Sequence, residues 1–388
     1  MPLYALGSNG SGQLGIGHED DVSSPTKCLF FTHDSLETQD SRSQDLPEEI
    51  AVHDEPIRIV AGGNHTLILF RSGAVYAAGA NKSGQCGQDP GDMSALLSFR
   101  RVRAVVDEDD DYGGQRTVER FAAISATWEA SFIIDAATGH VYVFGQGTKG
   151  ELGLGEGVTQ ADVTSPARIA DFPPKDTEVV SISSSMGHTV VVLSNGDVYG
   201  WGVSRKGQLG REGVLSKIYW SPRKIGDVTF HAYQVACGRE FTVVAGDAAD
   251  GQFVILGSEN KKWDIGAGAP RDLKGYDTVA ASWHGVYVHK RDGSVVAWGR
   301  NDRGQLPPLH FPHPEKLAVG SEHVVAVIGK GRVVSFGWGE HGNCGAEIDA
   351  QGNVAGSWNE LPLSSESKFL VTGVGAGCAT SWVIAVRE

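Results

Sequence analysis

Basic residues are in short supply in this chain. Its 388 residues carry 33 Lys and Arg against 47 Asp and Glu, a net charge of −14. A chain so acidic is repelled by phosphate backbones, which argues against a sequence-independent nucleic-acid binder and against a membrane-surface protein. Long apolar runs are absent as well: none approaches the roughly 20 residues that cross a bilayer. The opening MPLYALGSNG has neither the basic nor the apolar stretch of a signal peptide. The five cysteines (Cys28, Cys86, Cys237, Cys344 and Cys378) are odd in number, widely spaced and without a C-x-x-C pair. They predict a reducing compartment, cytoplasm with access to the nucleus, and no protein-built zinc site.

Glycine is what the chain has in excess. It contributes 52 residues, about twice its usual share, and it follows no collagen period. Most of it belongs to a repeat. A short apolar strand ends in Gly, passes through a polar turn and closes with G-Q-L-G. The unit runs from Tyr4 to Gly15 and recurs over Val75 to Gly87, Val141 to Gly153, Val198 to Gly210, Val295 to Pro307 and Val333 to Gly345. A degraded seventh copy, Phe253 to Gly266, keeps the strand and its Gly but loses G-Q-L-G.

Between these copies lies a second unit, a turn of small residues followed by a β-branched strand. Its copies are Val60 to Leu69, Ile124 to Ile134, Ile182 to Leu193, Val235 to Val244, Val279 to Val288, Leu317 to Val327 and Val374 to Val386. Short Val/Ile-rich runs bounded by Gly, Asn-Gly and Asp-Gly read as antiparallel hairpins. The chain opens with one half-unit and ends with the other, so one repeat must be assembled from both termini. That arrangement predicts an all-β fold: a single seven-bladed β-propeller over residues 1–388, with four-stranded blades, closed by pairing of its first and last strands. The stretches 31–56 and 88–117, the second containing the acidic run Asp107 to Asp111, read as loop insertions. The Pro-rich Leu306 to Pro314 reads as a stiff connector without strand character.

The half-units G-x-N-x-x-G-Q-L-G and a-x-G-x-x-H-t resemble the repeat of the regulator-of-chromosome-condensation family, over essentially the whole chain from Tyr4 to Val386. The segments YALGSNGSGQLGIGHEDDVSSP, AGGNHTLIL, VGSEHVV, FGWGEHGNCG and AGCATSWVIAV are similar to a narrower fungal branch of it. That resemblance implies a non-catalytic propeller in a heterodimer with a small CSL-type zinc-finger protein. The partner is an electron carrier serving diphthamide synthesis and Elongator-dependent modification of tRNA wobble uridines. The broader family also implies guanine-nucleotide exchange on a small Ran-like GTPase. The chain departs from that pattern in having no basic tail ahead of the first strand.

Two groups of residues invite a chemical reading. Matching the second units by residue type places His65, Glu129, His188, Glu240, His284, His323 and Ala379 in one ring, where imidazoles and carboxylates facing the axis could hold a metal. The competing reading, a hydrogen-bonded histidine that recurs for folding reasons, is favoured because the residue recurs from blade to blade. Cys86 and Cys344 replace the Leu of G-Q-L-G and read as small core residues. No phosphate loop, G-x-S-x-G or H-E-x-x-H is found, so the reading is of a binding module without catalytic residues, metal or cofactor.

Among the tryptophans, Trp201 and Trp298 share the strand-end position of Leu6, Phe144 and Phe336 and read as core. Trp128, Trp283, Trp338 and Trp382 break the consensus of their units, and Trp128 is matched to Asn64 and Arg239. Exposed Trp, Tyr and Arg dominate interface energetics. The expected partner-binding patch is therefore Trp128, Arg239, Trp283, His284, Glu322, His323, Trp338, Glu340, His341 and Asn343.

Overall fold

The structure is a computed structural model, and the description covers residues 2–31, 54–91, 94–107, 114–161, 165–257, 263–363 and 369–387. Seven antiparallel sheets follow one another along the chain and form the propeller. Blade 1 comprises Pro56–Ala61, His65–Phe70, Val75–Ala80 and Ala95–Arg101, with Phe30–Phe31 added in parallel to its outer strand. Blade 2 comprises Phe121–Ala126, Ala130–Asp135, Val141–Gly145 and Ala167–Arg168, and blade 3 Val179–Ser185, His188–Leu193, Val198–Val203 and Ile218–Lys224. Blades 4 (Gln234–Cys237, Phe241–Ala245, Phe253–Gly257) and 5 (Tyr276–Ala281, Gly285–Lys290, Val295–Gly299) have three strands each among the described residues. Blade 6 is Lys316–Val319, His323–Ile328, Arg332–Trp338 and Asn353–Glu360.

Blade 7 closes the ring. Leu3–Gly7 from the N-terminus lies between Val22–Lys27 and the C-terminal Thr380–Arg387, which pairs in turn with Phe369–Ala376. Tyr4 faces Val383 and Ala5 faces Trp382 across that seam. Trp382 is fully buried there, so it belongs to the core and not with the turn aromatics.

The two half-units have separate physical causes. In each blade the strand-end Gly (Gly79 in blade 1) has a positive φ, 104° for Gly79, a conformation that carries little penalty only for glycine. A Cβ there would stand 2.4 Å from the Asn64 carbonyl oxygen, so every blade must have Gly at this place. The G-x-N-x-x-G-Q-L-G turn holds itself: Asn81 Oδ1 accepts from the Cys86 N–H (3.1 Å) and Gln85 Oε1 from the Ser83 N–H (2.9 Å). The same bonds recur at Asn9 and Gln13 and at Asn301 and Gln305. Leu6, Phe144, Trp201, Trp298 and Phe336 all lie buried between blades, where aromatic side chains fill the space between two sheets.

The insertions divide. Residues 32–53 of the stretch 31–56, and Glu108 to Asp111 of the acidic run, lie outside the described residues. The stretch 88–117, expected as a loop, contains the outer strand of blade 1 and a hairpin pairing Ala104–Asp107 with Gln115–Val118. Its apolar residues Leu96, Phe99, Val102, Ala104 and Val106 are buried, a hydrophobic set that an acidic run beside it masks in the sequence. Between Arg300 and Glu315 no residue is in a strand. The Pro-rich connector takes the place of a fourth strand in blade 5, and its Phe311 stacks edge-on against Phe336 and Trp358.

Candidate functional site

The turn after each inner strand, the end of each third strand and the G-Q-L-G turn all lie at the same end of a blade, because neighbouring strands are antiparallel. One face of the propeller is built from these turns. The strand register corrects the expected ring of His65, Glu129, His188, Glu240, His284, His323 and Ala379. The residues opposite the strand-end glycines are His65, Ala130, His188, Phe241, Gly285, His323 and Thr380. Glu129, Glu240, His284 and Ala379 stand one residue earlier, level with Asn64 and Glu322. Matching by charge and ring type had shifted four of the seven blades by one.

The three histidines that do share a position are latches between blades. His65 Nε2 lies 2.8 Å from Ser131 Oγ, His188 Nε2 3.0 Å from Thr242 Oγ1, and His323 Nε2 3.0 Å from Ser381 Oγ. Each hydroxyl belongs to the next blade and already donates to a carbonyl of the preceding polar turn, at Gln85, Gln208 or Asn343 (2.6–2.8 Å). The imidazole must therefore donate through Nε2–H. Burial lowers all three pKa values to about 4, so the rings are neutral near pH 7. His323 and Asn343 are fully buried and Asn343 donates to the Trp338 carbonyl (2.7 Å). Both leave the expected patch and join the interior. Cys86 and Cys344 are buried too, and burial pushes the Cys344 thiol up to about 12, which leaves it unreactive as a nucleophile.

The residues two before the latch position are Gly63, Trp128, Met186, Arg239, Trp283, Ser321 and Cys378; all but Gly63 and Arg239 line the axial channel, and the set forms its rim. Trp128 thus stands where Gly63 stands, and not Asn64. Backbone hydrogen bonds run around this rim from blade to blade, from Gly63 to Trp128, Trp128 to Met186, Arg239 to Trp283 and Trp283 to Ser321 (2.9–3.3 Å). The Trp128 indole lies over Gly63, where any Cβ would come within 2.5 Å of it. Trp128 and Trp283 sit three blades apart, yet their rings meet at 6.3 Å, so the pair bridges the mouth of the channel. Arg239 places its guanidinium 5.6 Å from the Trp283 ring centre, a cation–π contact. Trp128 remains 37% exposed.

From Trp283 an unbroken chain of contacts crosses the face toward blade 7. His284 Nδ1 lies 3.1 Å from Glu322 Oε1, which also accepts from Arg300 Nη1 (3.1 Å), while Gln305 Nε2 donates to Glu322 Oε2 (2.6 Å). Burial pushes the Glu322 carboxyl up, but the hydrogen bonds from His284 and Gln305 and the Arg300 charge outweigh it and hold the pKa below the usual range. Arg300 is also bound by Asp302 and lies over Trp263 (5.0 Å). Next along, Arg303 covers the Trp338 ring (5.3 Å). Trp338 Nε1 donates to Glu340 Oε2 (3.1 Å), and His341 packs edge-on against Trp338 while its Nδ1 meets Asp21 Oδ2 (2.8 Å). Eight of the ten expected residues thus share one face. Sequence reading missed Arg300, Arg303, Asp21 and Trp263, which fall at variable places of the repeat. Among the described residues no three His, Cys, Asp or Glu side chains converge as metal ligands.

The comparisons with known proteins bear on the whole propeller. The sequence model of the RCC1-like domain matches residues 2–383. The chain belongs to this family. It is similar to an RCC1 repeat-containing protein of Schizosaccharomyces pombe, 30% identical with 98% of each chain covered. It is also similar to a secretion-regulating guanine nucleotide exchange factor of Bos taurus, 26% identical over 98% of this chain and 82% of that one. Among solved structures, Prp20p of Saccharomyces cerevisiae superposes with a TM-score of 0.73 at 18% identity, covering 100% of this chain and 92% of that one. At that identity the likeness speaks for the fold.

Proposed function

We propose that this RCC1-like propeller is a non-catalytic binding module whose turn-bearing face docks a small CSL-type zinc-finger electron carrier as a heterodimer. Through that partner it serves diphthamide synthesis and Elongator-dependent wobble-uridine modification, acting in the cytoplasm with access to the nucleus. The observation that carries the docking half is the contact chain from Trp128 to Asp21. It places three partly exposed tryptophans and three arginines on one face, each cation stacked on or beside a ring. Aromatic and arginine side chains held in fixed geometry are the usual energetic centres of interfaces, and a standard interface buries about 1,600 Å² in total. The identity of the partner rests on the similarity of the quoted segments to one branch of the family.

Purification of the protein from native cells, with identification of what accompanies it, tests the partner. Trp128→Ala, Trp283→Ala and Trp338→Ala, measured against the purified zinc-finger protein, test the surface. At least one is expected to weaken binding tenfold or more, and unchanged affinity across all three removes the surface. The bovine relative's name supports a second reading, an exchange factor for a small GTPase. Release of a fluorescent guanine nucleotide from a Ran-like GTPase separates the two: acceleration by the propeller favours exchange, and an unchanged rate favours the docking module.

A further inference from the structure

The propeller axis holds a chamber of about 490 Å³, within the range of about 300–1,000 Å³ typical of small-molecule sites. Its walls are the inner strands of all seven blades, contributing small residues and hydroxyls such as Ser125, Ser183, Ser184 and Thr278. The Trp128–Trp283 pair bridges its mouth. Among the described residues a single charged side chain lines it: Arg58. Arg58 lies four residues before the Gly62 turn on an extended strand, about 13 Å below the rim at roughly 3.3 Å per residue. Its Nη2 donates to the Ile182 carbonyl (2.8 Å), two blades away in the ring, so the guanidinium reaches across the axis and forms the chamber floor.

Arg58 as a residue is exposed and lines the channel, while protein surrounds its guanidinium and lowers its pKa. An arginine stays charged regardless. Ile182 is its one protein hydrogen-bond partner among the described residues, which leaves donors of the fork without a protein acceptor, and no carboxylate of the described residues pairs with it. The other arginines named above, Arg239, Arg300 and Arg303, each lie on an aromatic ring. Of these four, Arg58 alone lines the chamber. A fork of N–H donors matches the two oxygens of a carboxylate or phosphate, and low-dielectric walls strengthen its pull on an anion.

We propose that the axial chamber is a binding site for a small organic anion, with its carboxylate or phosphate head on Arg58 and its aromatic body against Trp128 and Trp283. The inference shares Trp128 and Trp283 with the proposed docking face, but Arg58 and the chamber walls take no part in docking, and the test uses no protein partner. Because the oxyanion chemistry is shared, the test uses both heads on one body. Benzoate and phenyl phosphate are titrated into the full-length protein by calorimetry, with indole fluorescence as a second readout and inorganic phosphate and benzyl alcohol as the head and body alone.

At least one of the two aryl anions is expected to bind saturably, and tenfold or more tighter than either fragment. Arg58→Met is expected to weaken it thirtyfold or more, and Arg58→Lys less. Ala318→Met, which narrows the chamber from its wall and leaves Arg58 in place, is expected to weaken binding tenfold or more, so the test does not depend on how the Arg58 variants fold. The site is overturned if neither aryl anion binds at millimolar concentration, or if both Arg58→Met and Ala318→Met leave binding intact. Equal affinity for inorganic phosphate and phenyl phosphate overturns the role of the two indoles.

Discussion

Blades 1, 3 and 6 differ from blades 4 and 5 at the same place in the repeat. The first group keeps the buried histidine and, in the following blade, the hydroxyl that receives its proton. In blade 4 Phe241 stands at the histidine position, and Val286 of blade 5 stands at the hydroxyl position; both are buried in one cluster. The Phe241 ring lies against Gly238 as the His65 ring lies against Gly62. A polar latch and an apolar latch thus occupy one shape, and the two partners change together. Among the described residues blades 4 and 5 also have no fourth strand, and they supply Arg239, Trp283, His284 and Arg300 to the candidate face. The repeat is loosest in the sector that supplies these four residues.

The constraint that both regions retain gives the largest effect. Gly79→Ala in blade 1 forces a Cβ to 2.4 Å from the Asn64 carbonyl oxygen, and Gly257→Ala in blade 4 forces one to 2.6 Å from that of Glu240. With the strain of a positive φ added, each is expected to cost about 3–5 kcal/mol in urea unfolding. A cost at Gly257 well below that at Gly79 would mean that the decayed sector has relaxed its backbone as well as its side chains.

The latches give the next effect and sharpen the contrast. His188→Ala removes a buried ring and leaves Thr242 Oγ1 without its donor, an expected loss of about 3 kcal/mol. The double change His188→Phe with Thr242→Val imitates blade 4 and is expected to recover most of that loss. Acid probes the same element. His65, His188 and His323 have folded pKa values lowered to about 4, below the usual value near 6.5 in an unfolded chain. The unfolded state therefore binds more protons through that window. The stability due to the neutral rings is complete above about pH 6.5 and declines as pH falls toward 4, by up to about 3 kcal/mol for each ring. Unfolding midpoints between pH 7 and 4.5 check this, with the double variant expected to show a shallower decline.

The propeller was legible because its repeat is a backbone requirement: Gly at positive φ, the Asn and Gln that brace the polar turn and the half-unit at each end of the chain all leave fixed letters. The face was legible only as deviation. Trp128, Trp283 and Trp338 stood out, but residue type alone could not separate half-buried His341 from buried His323, nor reveal that Glu129 and Glu322 share a level while His65 does not. Register decides those, and a one-residue offset in a four-residue turn leaves no mark on composition. Arg58 was invisible for another reason. On a strand it looks like an ordinary outward charge, and only ring closure turns that outward face toward an enclosed axis.

Glu322 and Glu129, at one level in different blades, give the smallest and most discriminating comparison. Glu129 is exposed and meets Gln146 Nε2 at 3.0 Å, so Glu129→Ala is expected to change stability by less than about 0.5 kcal/mol. Glu322 is buried and receives His284, Arg300 and Gln305. Glu322→Ala strips a partly buried guanidinium of one carboxylate while Asp302 still binds it, which sets the expected cost at about 2 kcal/mol. Because its pKa is held below the usual glutamate range, this contribution is present above about pH 4.5 and disappears as pH falls through the lowered value. Glu322→Gln keeps the shape and one acceptor, and should lose about half as much. If Glu322→Ala and Glu129→Ala prove equal, the contact chain that joins Trp283 to Trp338 contributes no rigidity, and the two ends of the face act as separate surfaces.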